Sequence, residues 1–180
     1  MARMKRIAVL GSGTGSNFQA LLEAEDLGGE IVLVISDQEG AGILDKAEKA
    51  GIPHCVVKGG KELCERILKK LDGIDLVCLA GFMRIVKEPL LSAYLDRILN
   101  IHPSLLPKYP GKEAWVQAIE DGASESGCTV HYVDAGVDTG EIILQAKVPV
   151  EPHDTAETLH ARIQVEEHRI YPEAVRRVLA

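Results

Sequence analysis

Ile7-Ala8-Val9-Leu10-Gly11-Ser12-Gly13-Thr14-Gly15-Ser16-Asn17-Phe18-Gln19-Ala20-Leu21-Leu22 reads as a strand, a glycine-rich turn and a helix in immediate succession. The first four residues are a continuous apolar run, and Phe18, Leu21 and Leu22 recur at helical spacing. A strand without polar alternation is buried on both faces, which is the mark of a parallel sheet covered by helices. The unit then repeats. Ile31 to Ile35 is a second strand of this kind, and Ala41 to Ala50 reads as a helix ended by Gly51 with Pro53 beyond it. His54 to Val57 is a third strand, Leu63, Ile67, Leu68 and Leu71 mark the next helix, and Ile74 to Leu79 is a fourth strand. Glu88-Pro89 suits the start of a short helix leading into a fifth strand, Ile98 to Ile101.

Beyond this point the pattern changes. Ala114 to Ile119 is helical in character, but Thr129 to Val133 and Ile142 to Val150 are joined only by the turn-rich stretch Asp134 to Gly140, which predicts an antiparallel addition. Asp154 and Glu157 resemble a capping box that opens a C-terminal helix, and Pro172 is expected to kink or break that helix. The expected fold is α/β: an open, doubly wound, mostly parallel, Rossmann-like sheet with an antiparallel addition near the C-terminus. No repeat or linker interrupts it, so residues 1–180 are expected to form one domain. At this length roughly 70% of the unfolded surface can be buried, enough for a core without staples.

Composition excludes several classes. A net charge of −7 argues against a broad nucleic-acid footprint. The longest apolar run, Leu76 to Met83, is far short of the roughly 18 residues a membrane helix needs, and the basic first residues lack the apolar stretch of an export signal. A soluble, cytoplasmic protein is expected. Cys55, Cys64, Cys78 and Cys128 are scattered, and none of the six histidines has zinc-site spacing, so neither a disulfide framework nor a metal is expected.

Open parallel sheets bind ligands beyond the carboxyl ends of their strands, where the turn at 11–17, the segment 80–86 and the loop 100–111 would converge. The glycine turn precedes a helix whose first N–H groups are free for an anion, with phosphate the obvious guest; a plain tight turn is the alternative. Its spacing fits neither the dinucleotide fingerprint nor the Walker pattern. Asp37, ending the second strand, nevertheless keeps a nicotinamide cofactor open as a second reading. Asn100 and His102 alternate to the same side of a strand end, and Pro103, Pro107 and Pro110 stiffen the loop behind them, as an oxyanion site requires. Asp134 and Asp138 either orient that imidazole and favour its charged form or make an ordinary Asp/Gly turn. Leu79 to Val86 is either a strand leaving the core or an apolar slot for a flat heterocycle.

Together these motifs resemble the phosphoribosylglycinamide formyltransferase family: Gly13-x-Gly15-Ser16-Asn17, Leu79-Ala80-Gly81-Phe82-Met83-Arg84, Asn100-Ile101-His102-Pro103-Ser104-Leu105-Leu106-Pro107 and Val137-Asp138-Thr139-Gly140, in that order. The resemblance runs from the first strand through Glu167-His168 and Tyr171-Pro172. It implies formyl transfer from 10-formyltetrahydrofolate to the amino group of glycinamide ribonucleotide, without metal, by a monomer or homodimer that has no nucleic-acid or membrane partner. It implies that Asn100, His102 and Asp138 are catalytic and that Gly15, Ser16 and Asn17 hold the substrate phosphate. Gln164, Val165, Glu166 and Glu167 would lie near the ribose. Lys61, Met83, Arg84, Ile85, Val86, Asn100, Asp134 and Asp138 would bind the folate, with Lys61 facing its tail. Trp115 departs from the pattern, standing where the family has a histidine. Two relatives of that family are rival readings: a formyltetrahydrofolate hydrolase, expected to carry a segment before the first strand, and methionyl-tRNA formyltransferase, expected to carry a further domain and a basic surface.

Overall fold

A computed structural model describes residues 3–180. Strands β1 (Lys5–Leu10), β2 (Gly29–Ser36), β3 (His54–Val56), β4 (Leu76–Leu79), β5 (Ile98–His102), β6 (Glu125–Tyr132) and β7 (Ile142–Pro149) form one sheet in the order β3-β2-β1-β4-β5-β6-β7. The first five are mutually parallel; β6 runs antiparallel to β5, and β7 to β6. The fold is thus the mostly parallel α/β sheet with an antiparallel addition that the apolar runs imply. Its apolar strands are buried on both sides. One core lies under α1 (Ser16–Glu23), α2 (Gly42–Lys49), α5 (Ala114–Glu120) and α6 (Ala156–Leu179), with Phe18, Ile43, Ala118 and Tyr171 contributing to it. The other lies under α3 (Leu63–Lys70) and α4 (Leu90–Ala93), built on Ile67 and Leu90.

After β1 the chain adds β2 and β3 on one side and then returns to place β4 on the other, so the order reverses between β1 and β4. At that reversal the loops diverge and leave a crevice beyond the strand ends. The Ser12 N–H donates to the Gly81 carbonyl at 3.0 Å, which joins the two loops flanking the crevice.

Two expectations about α6 need correction. The N-cap is Thr155: its side chain accepts from Thr158 N at 3.2 Å, while the Thr155 N–H donates to Thr158 Oγ1 at 2.9 Å. Asp154 is drawn away into a bidentate pair with Arg162 at 2.7 and 2.9 Å, an interaction between residues eight apart that the local pattern could not reveal. Pro172 does not break the helix, which continues to Leu179. Tertiary packing outweighs the lost backbone bond: Ile170, Tyr171, Pro172, Ala174 and Val175 are all buried, and Tyr171 Oη donates to the Leu79 carbonyl at 2.8 Å. Thr155→Ala is therefore expected to cost about 1 kcal/mol in a thermal or denaturant melt, whereas Glu157→Ala should leave the midpoint essentially unchanged. The opposite ranking would restore the Asp154–Glu157 box.

Candidate active site

Asn100 and His102 sit on β5, two residues apart, and so point to the same side of the sheet. Antiparallel pairing of β5 with β6 sets Asn100 opposite His131. The Asn100 amide Nδ2 lies 3.3 Å from His131 Nε2, and His131 Nδ1 lies 2.8 Å from the Tyr132 carbonyl. A carbonyl can only accept, so Nδ1 carries the proton and Nε2 offers its lone pair to the amide. Burial pushes the His131 imidazole below its ordinary value, which keeps it neutral near pH 7. A neutral acceptor there fixes which end of the Asn100 carboxamide is the donor.

His102 Nε2 lies 2.8 Å from the Tyr109 carbonyl, and Nδ1 lies 3.4 Å from Asp138 Oδ2. The other carboxylate oxygen of Asp138 is 3.7 Å from His131 Nε2, and Oδ2 also accepts from Gly111 N at 2.9 Å. One carboxylate therefore gathers both imidazoles and the proline loop. Asp138 adopts a left-handed backbone with φ 54°, uncommon for a residue with a side chain. Its turn is closed by Gly140, where a Cβ would overlap the Tyr132 carbonyl oxygen at 1.6 Å. The proline loop is pinned by more than its rings. Thr129 Oγ1 donates to the Ser104 carbonyl at 2.7 Å and accepts from Leu106 N at 3.1 Å, and Gln145 Nε2 donates to the Leu106 carbonyl at 2.9 Å.

Asn100, His131 and Asp138 line a slot of about 130 Å³ whose walls include Phe82, Ile85, Val86 and Val133, while His102 does not line it and meets it through Asp138. Arg84 and Asp134 also line it. Residues 82–87 belong to no strand, so no ladder consumes their backbone groups. Met83 N–H goes to Ser12 Oγ and Lys87 N–H to Cys64 Sγ, and apolar walls beside the backbone groups left between them fit a flat, hydrogen-bonding ring such as the pterin of a folate. Met83 does not line this slot; its side chain is exposed and faces an adjoining groove of about 300 Å³ shared with Lys61, Cys64 and Lys87.

Across the crevice, α1 begins at Gly15 with φ 79° and no side-chain cap, and its first turn contains no acidic residue. A Cβ at Gly15 would lie 2.8 Å from Ile43, so glycine is required there. The leading N–H groups of α1, with the positive end of its dipole, form a place for an anion. Asn17 Nδ2 donates to Glu167 Oε1 at 2.8 Å, both residues being buried, and Asn17 Oδ1 has no partner in the protein. Burial pushes the Glu167 carboxyl above its usual value, with the Asn17 bond opposing the shift. Residues 164–167 do not share a face: Val165 is exposed and Glu166 pairs with Arg169, while Glu167 turns inward to Asn17.

Asp37 is not free to bind a ribose. It accepts from Ser12 Oγ and from Arg84, which removes the feature that kept a nicotinamide cofactor open. Trp115 stacks flat on His160, with ring centroids 3.7 Å apart, and so ties α5 to α6. Sequence reasoning missed His131, because its role exists only once the β5–β6 register is known. Among the described residues no group of side chains could hold a metal ion, and no helix is long and apolar enough to cross a membrane.

A doubly wound sheet with an apolar slot, a paired-imidazole centre and an anion-ready helix start at one crevice defines an α/β group-transfer enzyme. The chain belongs to the formyl transferase family, whose profile matches residues 5–175. It is 40% identical to the phosphoribosylglycinamide formyltransferase of Bacillus subtilis, over 98% of this chain and 95% of that one. The crystal structure of glycinamide ribonucleotide transformylase 1 from Symbiobacterium toebii superposes with a TM-score of 0.94 at 49% identity, covering 98% of this chain and 88% of that one. The chain is also 48% identical to part of the trifunctional purine biosynthetic protein adenosine-3 of Drosophila melanogaster; that match covers 96% of this chain but 14% of the trifunctional protein.

Proposed function

We propose that this chain transfers the formyl group of 10-formyltetrahydrofolate to the amino group of N1-(5-phospho-D-ribosyl)glycinamide, a step of de novo purine biosynthesis. The observation that carries this reading is the lining of the apolar slot by Asn100, His131 and Asp138, with His102 behind Asp138 and the uncapped start of α1 across the crevice. Phe82 and Arg84 to Val86, with Asp134 and Asp138, hold the folate ring, and Lys61 and Met83 line the groove that takes its tail. Gly15, Ser16 and Asn17 hold the substrate phosphate. Asn17 Oδ1, buried without a donor, is the kind of acceptor that a ribose hydroxyl satisfies, with Glu167 and Gln164 nearby.

The neutral amine attacks the formyl carbon and forms the new C–N bond while negative charge gathers on the formyl oxygen. Asn100 Nδ2, one hydrogen aimed at His131, keeps a second for that oxygen. His102 reaches the same oxygen by exchanging the Tyr109 carbonyl for it, while Asp138 holds the other ring nitrogen. The bond from the formyl carbon to the folate nitrogen then breaks, and the proton lost by the amine goes to that nitrogen. Both partners are small molecules. The acidic net charge of −7 favours no nucleic-acid partner, and the chain acts as a single domain, in the cytoplasm, as a monomer or homodimer.

Labelled formyl carbon provides the test. With both substrates the label should appear in the amide product, and omission of the amine should stop its release. Formate appearing at the same rate without the amine would replace this reading with hydrolysis. The dephosphorylated amine should react with kcat/KM lowered at least about tenfold, since the contacts that anchor and orient the substrate are lost.

A further inference from the structure

Asp37 directly follows β2, and its side chain is fully buried. Oδ1 accepts from the Ser12 hydroxyl at 2.5 Å, and Oδ2 accepts from Arg84 Nε at 2.6 Å and from Gln38 Nε2 at 3.1 Å. The Ser12 hydroxyl in turn accepts from the Met83 backbone N–H at 2.9 Å. Ser12 belongs to the turn that leads into α1; Met83 lines the adjoining groove and Arg84 the apolar slot itself. One buried carboxylate and one hydroxyl therefore tie together the two loops on either side of the crevice. The guanidinium is seated as well: a Cβ at Gly59 would lie 2.7 Å from Arg84 Cζ.

Resting on the formyl-transfer reading, we propose that Asp37 is a positioning residue which, through Ser12 and Arg84, holds the phosphate-binding turn and the folate wall in one fixed register. The phosphorylated amine is anchored at the start of α1 and the formyl donor in the slot, so the separation of the reacting atoms is set by how the two loops sit on each other. Attack needs those atoms within about 3–3.5 Å, and a misplacement of about 1 Å can cost roughly 100-fold in rate. Burial raises the Asp37 carboxyl, but the bonds from Ser12, Arg84 and Gln38 outweigh it and hold the group below its usual value. The tie is accordingly ionised throughout the neutral range.

Asp37→Asn keeps the size and removes the charge. It is expected to lower kcat by about 10- to 100-fold while the Kd of each substrate, titrated singly, moves by less than about threefold. The shape of the pH–rate profile should be unchanged, because Asp37 touches no reacting atom. Ser12→Ala should lose rate in the same way, and the double variant should be no slower than the slower single one, since both changes cut a single chain of hydrogen bonds. If Asp37→Asn does not fold, Ser12→Ala alone decides by the same split between kcat and Kd. A variant with a lowered melting temperature and kcat within about twofold of wild type, or losses that multiply in the double variant, would overturn the inference while leaving the proposed reaction standing. Wild-type protein that fails to formylate the amine would overturn both.

Discussion

His102→Ala is expected to reduce kcat for formyl transfer by about a thousandfold, the upper end of what one oxyanion donor contributes and within the range of one acid–base group. The side chain is 6% exposed and meets an acceptor at each ring nitrogen, the Tyr109 carbonyl and the Asp138 carboxylate. Its removal takes away the donor and leaves Asp138 without its closest imidazole. Steady-state kinetics with each substrate varied in turn, beside a melting curve that shows the variant folded, makes the measurement. The loss should fall on kcat and on kcat/KM together, as for an interaction made only in the transition state. A rate within about tenfold of wild type would remove His102 from the chemistry, whatever its neighbours.

Asn100→Ala is expected to lower kcat by about 100-fold or more, equivalent to about 2.7 kcal/mol of transition-state stabilisation, with both KM values nearly intact. The carboxamide is poised before substrate arrives, because neutral His131 fixes its orientation. Such preorganisation makes a single donor valuable, since no reorganisation is needed as charge develops. Asn100→Asp is informative beside it. It is nearly isosteric but replaces the donor with an anion in the slot that Asp138 also lines, beside the developing charge, and should be at least as damaging as the alanine. A change confined to KM in either variant would show that Asn100 binds substrate without stabilising the transition state.

Much of this molecule could be read from its residues. The apolar runs at Ile7, Ile31 and Leu76 required strands covered on both faces, and the turn-rich link from Asp134 to Gly140 marked the change to antiparallel pairing. The alternation of Asn100 and His102 placed them on one side of β5 before any tertiary structure was known. Local chemistry misled where distant partners competed for the same group. Asp154 looked like a helix cap until Arg162, two turns along, claimed it. Asp37 looked like a ribose ligand until Ser12 and Arg84 filled its lone pairs.

By itself the sequence determined the elements, their order and the residue types gathered beyond the strand ends, because periodicity, prolines and glycines act over a few bonds. It did not determine which carboxylate meets which imidazole. His131 enters the centre through the pairing of β5 with β6, Asp138 through the return of a turn held by Gly140, and the Ser12–Asp37–Arg84 tie through contacts spanning 25 and 47 residues. Those contacts are set by packing and register, and hydrogen bonds between side chains so far apart in the chain form only when the whole sheet has closed.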